Sequence, residues 1–458
     1  MATVEIYKPK HHIRIVTASS LFDGHDASIN IMRRILQSSG AEIIHLGHNR
    51  SVEEVVNAAI HENAQAIAVS SYQGGHVEYF KYMYDLLKEK GAPHIRIYGG
   101  GGGVIIPKEI KELHDYGIAW IFSPEDGRKL GLQGMMNQIL EQCDYETVQQ
   151  FAVEKLDEVT TERPELLGRL ITYAEENYDK DNDEAKALLT EVRARSKKTP
   201  VFGITGTGGA GKSSLTDELI RRFLHELPNK KVAILSIDPT KQKTGGALLG
   251  DRIRMNAIFN DRVYMRSIAT RGSRSELTKS IEDILATVKI AGYDLIIVET
   301  SGIGQGDADI VDVSDLSMYV MTSEFGAPSQ LEKIDMIDYA DLIAINKFER
   351  KGSEDALNQV RKQYQRSRLL WDKDLSEMPV YGTIASQFND IGTNTLFAAI
   401  IRLMNEKFGY EWTTSYDAIG KTEMQNVIIP TDRIYYLREI SSTVREYHKK
   451  SRVQEELA

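Results

Sequence analysis

The segment Gly206–Ser213 constrains the fold of this chain more than any other part of its sequence. It reads GTGGAGKS, matches the pattern G-x-x-x-x-G-K-[ST], and lies between a strand-like stretch (VFGITG) and a helix-like stretch (SSLTDELIRRFL). Glycines let backbone N–H groups turn toward phosphate oxygens, and a following helix N-terminus adds a partial positive charge. The motif and its context therefore predict a nucleotide-hydrolysing α/β domain.

The residues of this loop have different expected roles. The side chain of Lys212 is expected to neutralise the β- and γ-phosphates and so to act in catalysis, and the Ser213 hydroxyl is expected to bind Mg²⁺. The other residues expected to contact the nucleotide here are Gly208, Gly209, Ala210, Gly211 and Ser214.

Acidic residues follow two later strand-like stretches. Asp238 follows VAILSI, a Gly-rich stretch then leads to Asp251, and Glu299 follows LIIV. Because ligands bind at the carboxyl ends of parallel strands, all three are candidates for Mg²⁺ or its water shell, and Glu299 also for positioning the attacking water. Each can also be read as a surface carboxylate.

A fourth strand-end element concerns the base. Asn346, Lys347 and Glu349 follow LIAI and resemble the guanine loop N-K-x-D, with Glu in place of Asp. A carboxylate at this position would accept hydrogen bonds from guanine groups that adenine lacks, which favours GTP as substrate. Arg271 and Gln305 are open to two interpretations, as participants in hydrolysis or as polar surface residues.

The composition limits the remaining possibilities. A chain of 458 residues predicts two to four domains, and its net charge of −10 argues against nucleic acid and anionic membranes as partners. No apolar run approaches the length of a membrane span, no secretory signal is evident, and the single cysteine, Cys143, excludes an intrachain disulfide. We therefore expect a cytosolic protein with domains over residues 1–142 and 199–410, a solvated helical linker over 143–198, and a C-terminal helical segment over 411–458.

The N-terminal domain alternates strand-like and helix-like stretches, which predicts a doubly wound, five-stranded parallel sheet. Three unusual loops follow its strands: Asp23–Ser28, Ser70–Tyr72 and Gly99–Gly103. His25, with Asp23 two residues earlier, suits a metal ligand whose second ring nitrogen is held by a carboxylate. The glycine run leaves room for a large, flat-sided ligand, and a single histidine does not make an all-protein metal cage.

These three loops resemble the cobalamin-binding module of adenosylcobalamin-dependent mutases, whose pattern is D-x-H-x-x-G, S-x-L and G-G. The resemblance implies a flavodoxin-like fold in which His25 is the lower cobalt ligand and Asp23 hydrogen-bonds it. It also implies that Ser70 and two glycines, taken as Gly99 and Gly100, line a pocket for the nucleotide tail of the cofactor. The sequence departs from the pattern at Ser28, where the family has Gly, and at Tyr72, where it has Leu.

The second half resembles the GTPase chaperones that serve such mutases, in the stretches GGALLGDRIRM from Gly245 and ETSGIGQ from Glu299. A cobalamin module followed by this GTPase resembles the fused isobutyryl-CoA mutases. The resemblance implies adenosylcobalamin, Mg²⁺ and GTP as ligands, a homodimer, and interconversion of isobutyryl-CoA and n-butyryl-CoA on a (β/α)₈ barrel. No barrel pattern follows here, so the mutase barrel is expected in a longer chain or a separate subunit.

Two other classes of protein remain open from the residues alone. One is a signalling GTPase controlled by a receiver-like or flavodoxin-like module, in which Asp23 and Asp26 would form the acidic cluster. The other is an ATP-dependent metal-insertion or transport ATPase. Neither uses the pairing of Asp23 with His25 or the glycine-rich wall.

Overall fold

The computed structural model describes residues 4–271, 273, 277–302, 308–326, 331–332, 334–417 and 436–457. Over these residues the chain forms two α/β units, each built on a parallel sheet covered by helices, and this confirms the predicted fold class. No helix in the described ranges is long and apolar enough to cross a membrane.

The first unit contains five strands that alternate with helices. The strands are β1 Arg14–Ser20, β2 Glu42–Arg50, β3 Ala66–Ser70, β4 Arg96–Gly100 and β5 Trp120–Phe122. The helices are α1 Ala27–Ser38, α2 Val52–His61, α3 His76–Glu89, α4 Pro107–Tyr116 and α5 Pro124–Cys143. The strand order is β5-β4-β3-β1-β2, and apolar side chains fill a core layer on each face of the sheet.

The segment after α5 is helical, as expected, but it is not a solvated linker. It forms a 3₁₀ helix Val153–Glu158 and the helices α6 Pro164–Asn177 and α7 Asp183–Arg195. Leu167, Leu170 and Ile171 are fully buried and belong to the same core as the second sheet. The acidic side chains suggested solvation, whereas the apolar face of α6 provides the packing that holds it in place.

The second unit is a seven-stranded parallel sheet of order β13-β12-β11-β6-β10-β7-β9. Its strands are β6 Val201–Gly206, β7 Val232–Asp238, β9 Val263–Ala269, β10 Leu295–Thr300, β11 Leu316–Met321, β12 Leu342–Asn346 and β13 Val380–Thr383. The helices from here to the C-terminus are α8 Lys212–Glu226, α9 Ile281–Ala291, α10 Ile310–Val313, α11 Met336–Tyr339, α12 Ser353–Ser367, α13 Ile391–Phe408 and the exposed α14 Tyr436–Leu457. Five of these seven strands were predicted, from the stretches VFGITG, VAILSID, LIIVETS, SMYVMTS and LIAINK, and β9 and β13 were missed.

One strand crosses from the second unit to the first. β8, Ala247–Leu249, lies in the Gly-rich stretch between Asp238 and Asp251 but pairs in parallel with β2. The first sheet therefore has six strands, and the prediction of five was wrong. The sixth comes from about two hundred residues further along the chain, so the two units share a sheet rather than being joined only by a linker.

Candidate nucleotide and cofactor sites

The phosphate-loop segment connects β6 to α8, and its glycines are required by close approaches of the backbone. Gly206 has φ +151°, and a Cβ there would lie 1.9 Å from the carbonyl oxygen of Val320. Gly211 has φ +89°, and its Cβ would lie 2.6 Å from Asn346 Nδ2. These positions exclude other residues, so the glycines preserve the loop as well as giving access to phosphate.

The buried side chain of Lys212 crosses the inside of this loop. Its Nζ donates to the carbonyl oxygens of Gly206 at 3.1 Å and Ser301 at 3.2 Å. Gly302, with φ +69°, passes so close that a Cβ would lie 2.4 Å from Lys212 Nζ. The loop after β10 therefore packs directly on the phosphate loop, as expected if both surround the terminal phosphate.

The remaining residues of the phosphate loop differ in how exposed they are. Gly208, Gly209 and Ser214 are exposed, and Gly209 and Ser214 line an open cleft with Gly211, Lys212 and Ser213. The Ala210 N–H donates to Thr207 O at 3.2 Å, so in this structure that group stabilises the loop itself.

Three carboxylates surround Ser213 in the same cleft. The Ser213 Oγ lies 2.7 Å from Glu299 Oε1 and 3.2 Å from Asp251 Oδ1, and Asp238 lines the cleft beside them. Burial, and then the charges of Asp251 and Glu299, raise the pKa of Asp238 to about 8. Burial and the neighbouring Asp251 raise the pKa of Glu299 to about 7. The structure thus brings together all four residues predicted to bind magnesium, in a cluster whose carboxylates repel one another.

The chemistry of this cluster fits a magnesium ion. Asp238 Oδ2 and Glu299 Oε2 are both buried without a hydrogen-bond partner, which leaves two carboxylate oxygens available. No group of three or more His, Cys, Asp and Glu side chains within the described ranges is arranged to hold a metal alone. Mg²⁺ does not need such a cage, because it commonly takes one or two carboxylates together with water and substrate phosphates.

The loop after β12 supports the phosphate loop from the other side. Asn346 is buried, and its Nδ2 donates to Ala210 O at 2.8 Å while its Oδ1 accepts from Thr383 Oγ1 and Ala385 N, both at 3.2 Å. Lys347, at φ +58°, donates from Nζ to Gly209 O at 2.8 Å. Glu349 is exposed, two residues further on.

Several residues of this site were missed from the sequence, among them Arg254 and Leu248. Arg254 and Leu248 line the cleft, and Arg254 is a second cation there beside Lys212. Both lie within GGALLGDRIRM, a stretch whose resemblance to GTPase chaperones assigned no role to either residue.

Arg271 and Gln305, the two residues with alternative interpretations, differ in what the structure shows of them. Arg271 does not line the cleft: its guanidinium donates to Glu42 Oε1 at 2.8 Å and Glu176 Oε1 at 2.6 Å, between the two units. It is therefore neither a surface residue nor placed for hydrolysis in this structure. Gln305 lies outside the described residues, with the rest of 303–307.

In the first unit, the loop after β1 holds a histidine against a buried carboxylate. His25 Nδ1 lies 2.8 Å from Asp23 Oδ1, and the other carboxylate oxygen accepts from the Tyr72 N–H at 2.6 Å. Burial acts to raise the pKa of Asp23, but the N–H groups of Tyr72 and His25 and the imidazole hold it below its usual value. The His25 side chain is 68% exposed, so its second nitrogen, Nε2, is presented outward. This geometry is that of a ligating histidine oriented by a carboxylate.

An apolar cavity of about 210 Å³ opens beside this loop. Ser70 lines it, with its Oγ 3.0 Å from Ser19 Oγ. Apolar side chains also line it, including Met135, Met136 and Ile139 of α5. An apolar lining with a few polar groups is typical of a site for a small molecule.

The glycine run has more than one role in this cavity. Gly99 and Gly100 line it with their backbone, but a Cβ on Gly99 would point away, 2.4 Å from Phe80 Cζ in the core. A Cβ on Gly101 would lie 1.9 Å from Ser71 O. The absence of side chains thus serves core packing and strand-end approach as well as room for a ligand.

The two residues that depart from the family pattern are in contact with each other. Ser28 Oγ lies 2.7 Å from the Tyr72 hydroxyl, and both residues line the cavity. A glycine and a leucine could not form this hydrogen bond.

The fold and these two sites define the class of protein: a P-loop nucleotide-hydrolase domain joined to a flavodoxin-like domain with a carboxylate-held histidine beside an apolar cavity. Residues 167–408 match the sequence model of the methylmalonyl-CoA mutase-associated GTPase MeaB, and residues 13–127 match that of the B12-binding domain. The chain therefore belongs to the family of methylmalonyl-CoA mutase-associated GTPases, with a B12-binding domain preceding the GTPase.

Two similar proteins match this chain over nearly its whole length. The chain is 69% identical to a fused isobutyryl-CoA mutase of Geobacillus kaustophilus, over 99% of this chain and 42% of that protein. It is 55% identical to a fused isobutyryl-CoA mutase of Cupriavidus metallidurans, over 98% of this chain and 41% of that protein. A solved LAO/AO transport system kinase is similar with a TM-score of 0.38 and 21% identity, over 55% of this chain and 74% of that one. The chain thus spans about two fifths of the length of the two mutases and is similar to them almost throughout.

Proposed function

We propose that this chain is the cobalamin-carrying and GTP-hydrolysing portion of an adenosylcobalamin-dependent acyl-CoA mutase, in which the GTPase gates loading and protection of the cofactor. The observation that carries the proposal is the combination of the Asp23–His25 pair beside an apolar cavity with the Lys212, Ser213 and carboxylate cleft, in one chain. The similarity to fused isobutyryl-CoA mutases supports isobutyryl-CoA and n-butyryl-CoA as the substrates of the complete assembly.

In the cofactor site, His25 Nε2 is the proposed cobalt ligand. Asp23 fixes the ring by accepting from Nδ1, and because Asp23 also accepts from the Tyr72 backbone it cannot rotate away. Ser70 and the backbone of Gly99 and Gly100 would line the space for the displaced nucleotide tail. Adenosylcobalamin, when bound, supplies the radical that initiates a carbon-skeleton rearrangement. That rearrangement requires the substrate-binding barrel, in the same longer chain or a separate subunit, and we expect the assembly to be a homodimer.

In the nucleotide site, Lys212 is proposed to stabilise charge on the β- and γ-phosphates. Ser213, Asp238, Asp251 and Glu299 would hold Mg²⁺ or its water shell, and Glu299 is also near enough to the phosphate loop to orient water. The Mg²⁺ would neutralise phosphate charge in that position.

The base and the outer phosphates involve a second set of residues. Gly208, Gly209, Ala210, Gly211 and Ser214 would surround the phosphates with backbone groups. Asn346 and Lys347 brace the phosphate loop through Ala210 and Gly209, and Glu349 would accept from guanine. GTP is therefore the proposed substrate.

The test is an absorbance titration of the chain with adenosylcobalamin, run together with a GTP hydrolysis assay. We expect a shift to the spectrum of a cofactor whose own base is displaced, and steady hydrolysis of GTP in Mg²⁺. Lys212→Ala should lose hydrolysis and keep the spectral shift, while His25→Ala should do the reverse. Absence of cofactor binding at tens of micromolar would overturn the cobalamin assignment, and equal hydrolysis of ATP and GTP would overturn the guanine assignment.

Gating is tested by the dissociation rate of the bound cofactor in the presence of GDP or of a non-hydrolysable GTP analogue. The proposal predicts different rates for the two nucleotides, and the difference should disappear in Lys212→Ala. Equal rates in the native chain would contradict gating while leaving both binding sites intact.

A further inference from the structure

The segment between Asp238 and Asp251 packs on the first unit instead of returning to its own domain. Its strand β8 pairs with β2 in the register Ala247 to Glu42 and Leu249 to Ile44. Ala247 and Leu249 are fully buried and belong to the apolar core of the first unit. One arm of the nucleotide cleft is therefore part of the cofactor domain.

Glycine makes this docking possible. A Cβ on Gly246 would lie 2.0 Å from the carbonyl oxygen of Gln37, at the end of α1, and the next residue donates its N–H to Ala41 O at 3.2 Å. Within the segment, Lys241 N donates to Gly246 O at 2.9 Å. The segment is thus a tight hairpin fitted against the first sheet.

The other end of the segment is fixed by an ion pair. Arg252 directly follows Asp251, and its Nε lies 2.9 Å from Glu62 Oε1, at the end of α2 in the first unit. Glu62 also accepts from Ser267 N at 3.0 Å and from Ser267 Oγ at 2.9 Å, on β9. Arg252 donates a further hydrogen bond to Met265 O on the same strand.

This ion pair is buried and belongs to a network of charges between the two units. The side chain of Glu62 is fully buried and that of Arg252 is 3% exposed. Arg14 Nη1 lies 2.9 Å from Glu62 Oε2, and Arg14 Nη2 lies 3.2 Å from Glu175 Oε1 on α6. Buried charges of this kind hold their partners in one geometry, because an unpaired charge in the interior is strongly unfavourable.

We propose that Glu62 of the B12-binding domain is a positioning residue for the magnesium site of the GTPase. By holding Arg252, it fixes the backbone at Asp251 and so the distance from that carboxylate to Ser213, which is 3.2 Å between Asp251 Oδ1 and Ser213 Oγ. The cofactor domain thereby sets the affinity of the nucleotide site for Mg²⁺. The inference rests on the GTPase part of the proposed function and goes beyond it by assigning part of the site to the other domain.

The experiment measures binding of a fluorescent GDP derivative to the full chain as a function of Mg²⁺ concentration. Glu62→Gln should raise the Mg²⁺ concentration for half-maximal tight binding by about tenfold, as expected for loss of one charge-assisted hydrogen bond. Binding in EDTA should stay within about twofold of the native value, since Glu62 makes no contact with the phosphate loop among the described residues. Glu175→Gln is the matched control, because Glu175 is equally buried and pairs with Arg14 and Arg266 but not with Arg252.

The outcomes separate a positioning role from a structural one. If both variants lose similar thermal stability but only Glu62→Gln shifts the Mg²⁺ dependence, the proposal is supported. Equal shifts in the two variants, or none in Glu62→Gln, would overturn it. If Glu62→Gln does not fold, Arg252→Lys retains the charge and replaces the guanidinium, and an unchanged Mg²⁺ dependence there would also overturn it. A native chain that binds no GDP would overturn the nucleotide site itself.

Discussion

Asn346 offers a sharp test of how the nucleotide site is assembled. Its amide makes three hydrogen bonds of 3.2 Å or less, to Ala210 O at 2.8 Å, Thr383 Oγ1 at 3.2 Å and Ala385 N at 3.2 Å, and a longer one to Gly211 O at 3.5 Å. Asn346→Ala removes all three bonds at a side chain that is 2% exposed. At about 1 kcal/mol for each bond, we expect the free energy of unfolding to fall by about 3 kcal/mol.

The same substitution releases the phosphate loop at Ala210. The affinity for GDP should fall by about tenfold or more, because the loop loses the contact that fixes its carbonyl. Urea denaturation gives the stability change, and titration with a fluorescent GDP derivative gives the affinity. Thr383→Val is the matched control: it removes only one of the three bonds, so we expect about 1 kcal/mol and little change in affinity. If Asn346→Ala costs no more than Thr383→Val and leaves GDP affinity within about twofold, the bracing argument is wrong.

Three further predictions concern the carboxylate cluster, the glycine run and the base. Because the pKa of Asp238 is raised to about 8 in the folded chain, its neutral carboxyl contributes to the free energy of unfolding. This contribution is fully present below about pH 4 and is lost as the pH rises through about 8. Asp238→Asn should flatten that fall in calorimetry with EDTA while weakening Mg²⁺-dependent GDP binding, and parallel stability curves for the two proteins would contradict the assignment. Gly101→Ala should lower the thermal midpoint and abolish cofactor binding, because its Cβ would meet Ser71 O at 1.9 Å, whereas Gly103→Ala has nothing within 4 Å and should match the native chain in a circular-dichroism melt. Glu349→Ala should reduce the preference for GDP over ADP by about tenfold or more in competition binding while sparing ADP affinity, and an unchanged ratio would count against Glu349 as the base acceptor.

Much of the nucleotide site could be predicted from the sequence because its residues follow parallel strands. Asp238 and Asn346 end strands of one sheet and Glu299 is the second-last residue of another strand, so a local pattern was enough to place them at the same edge. Asp23 and His25 were predictable for a similar reason, since two residues of one loop determine their contact. In both sites, local sequence patterns were sufficient for the prediction.

What could not be predicted depends on distant contacts. β8 is three residues long, lies in a Gly-rich stretch and pairs with a strand about two hundred residues earlier, so no local pattern distinguishes it from a loop. The burial of α6 was hidden by its charged face, because Glu175 reads as solvated until Arg14 and Arg266 are seen beside it. Arg271 was ambiguous in the same way. A buried ion pair between domains consists of the same charged residue types as a solvated surface, so only the folded structure distinguishes the two.

The central claim is that His25 ligates the cobalt of a bound cobalamin, and electron paramagnetic resonance tests it most directly. The chain is loaded with the Co(II) form of the cofactor, once with natural histidine and once with ¹⁵N-labelled histidine. Ligation by His25 predicts that the nitrogen splitting changes from a triplet to a doublet on labelling, and that this change is lost in His25→Ala. A splitting that does not respond to the label would show that the cofactor keeps its own base, and would contradict the account.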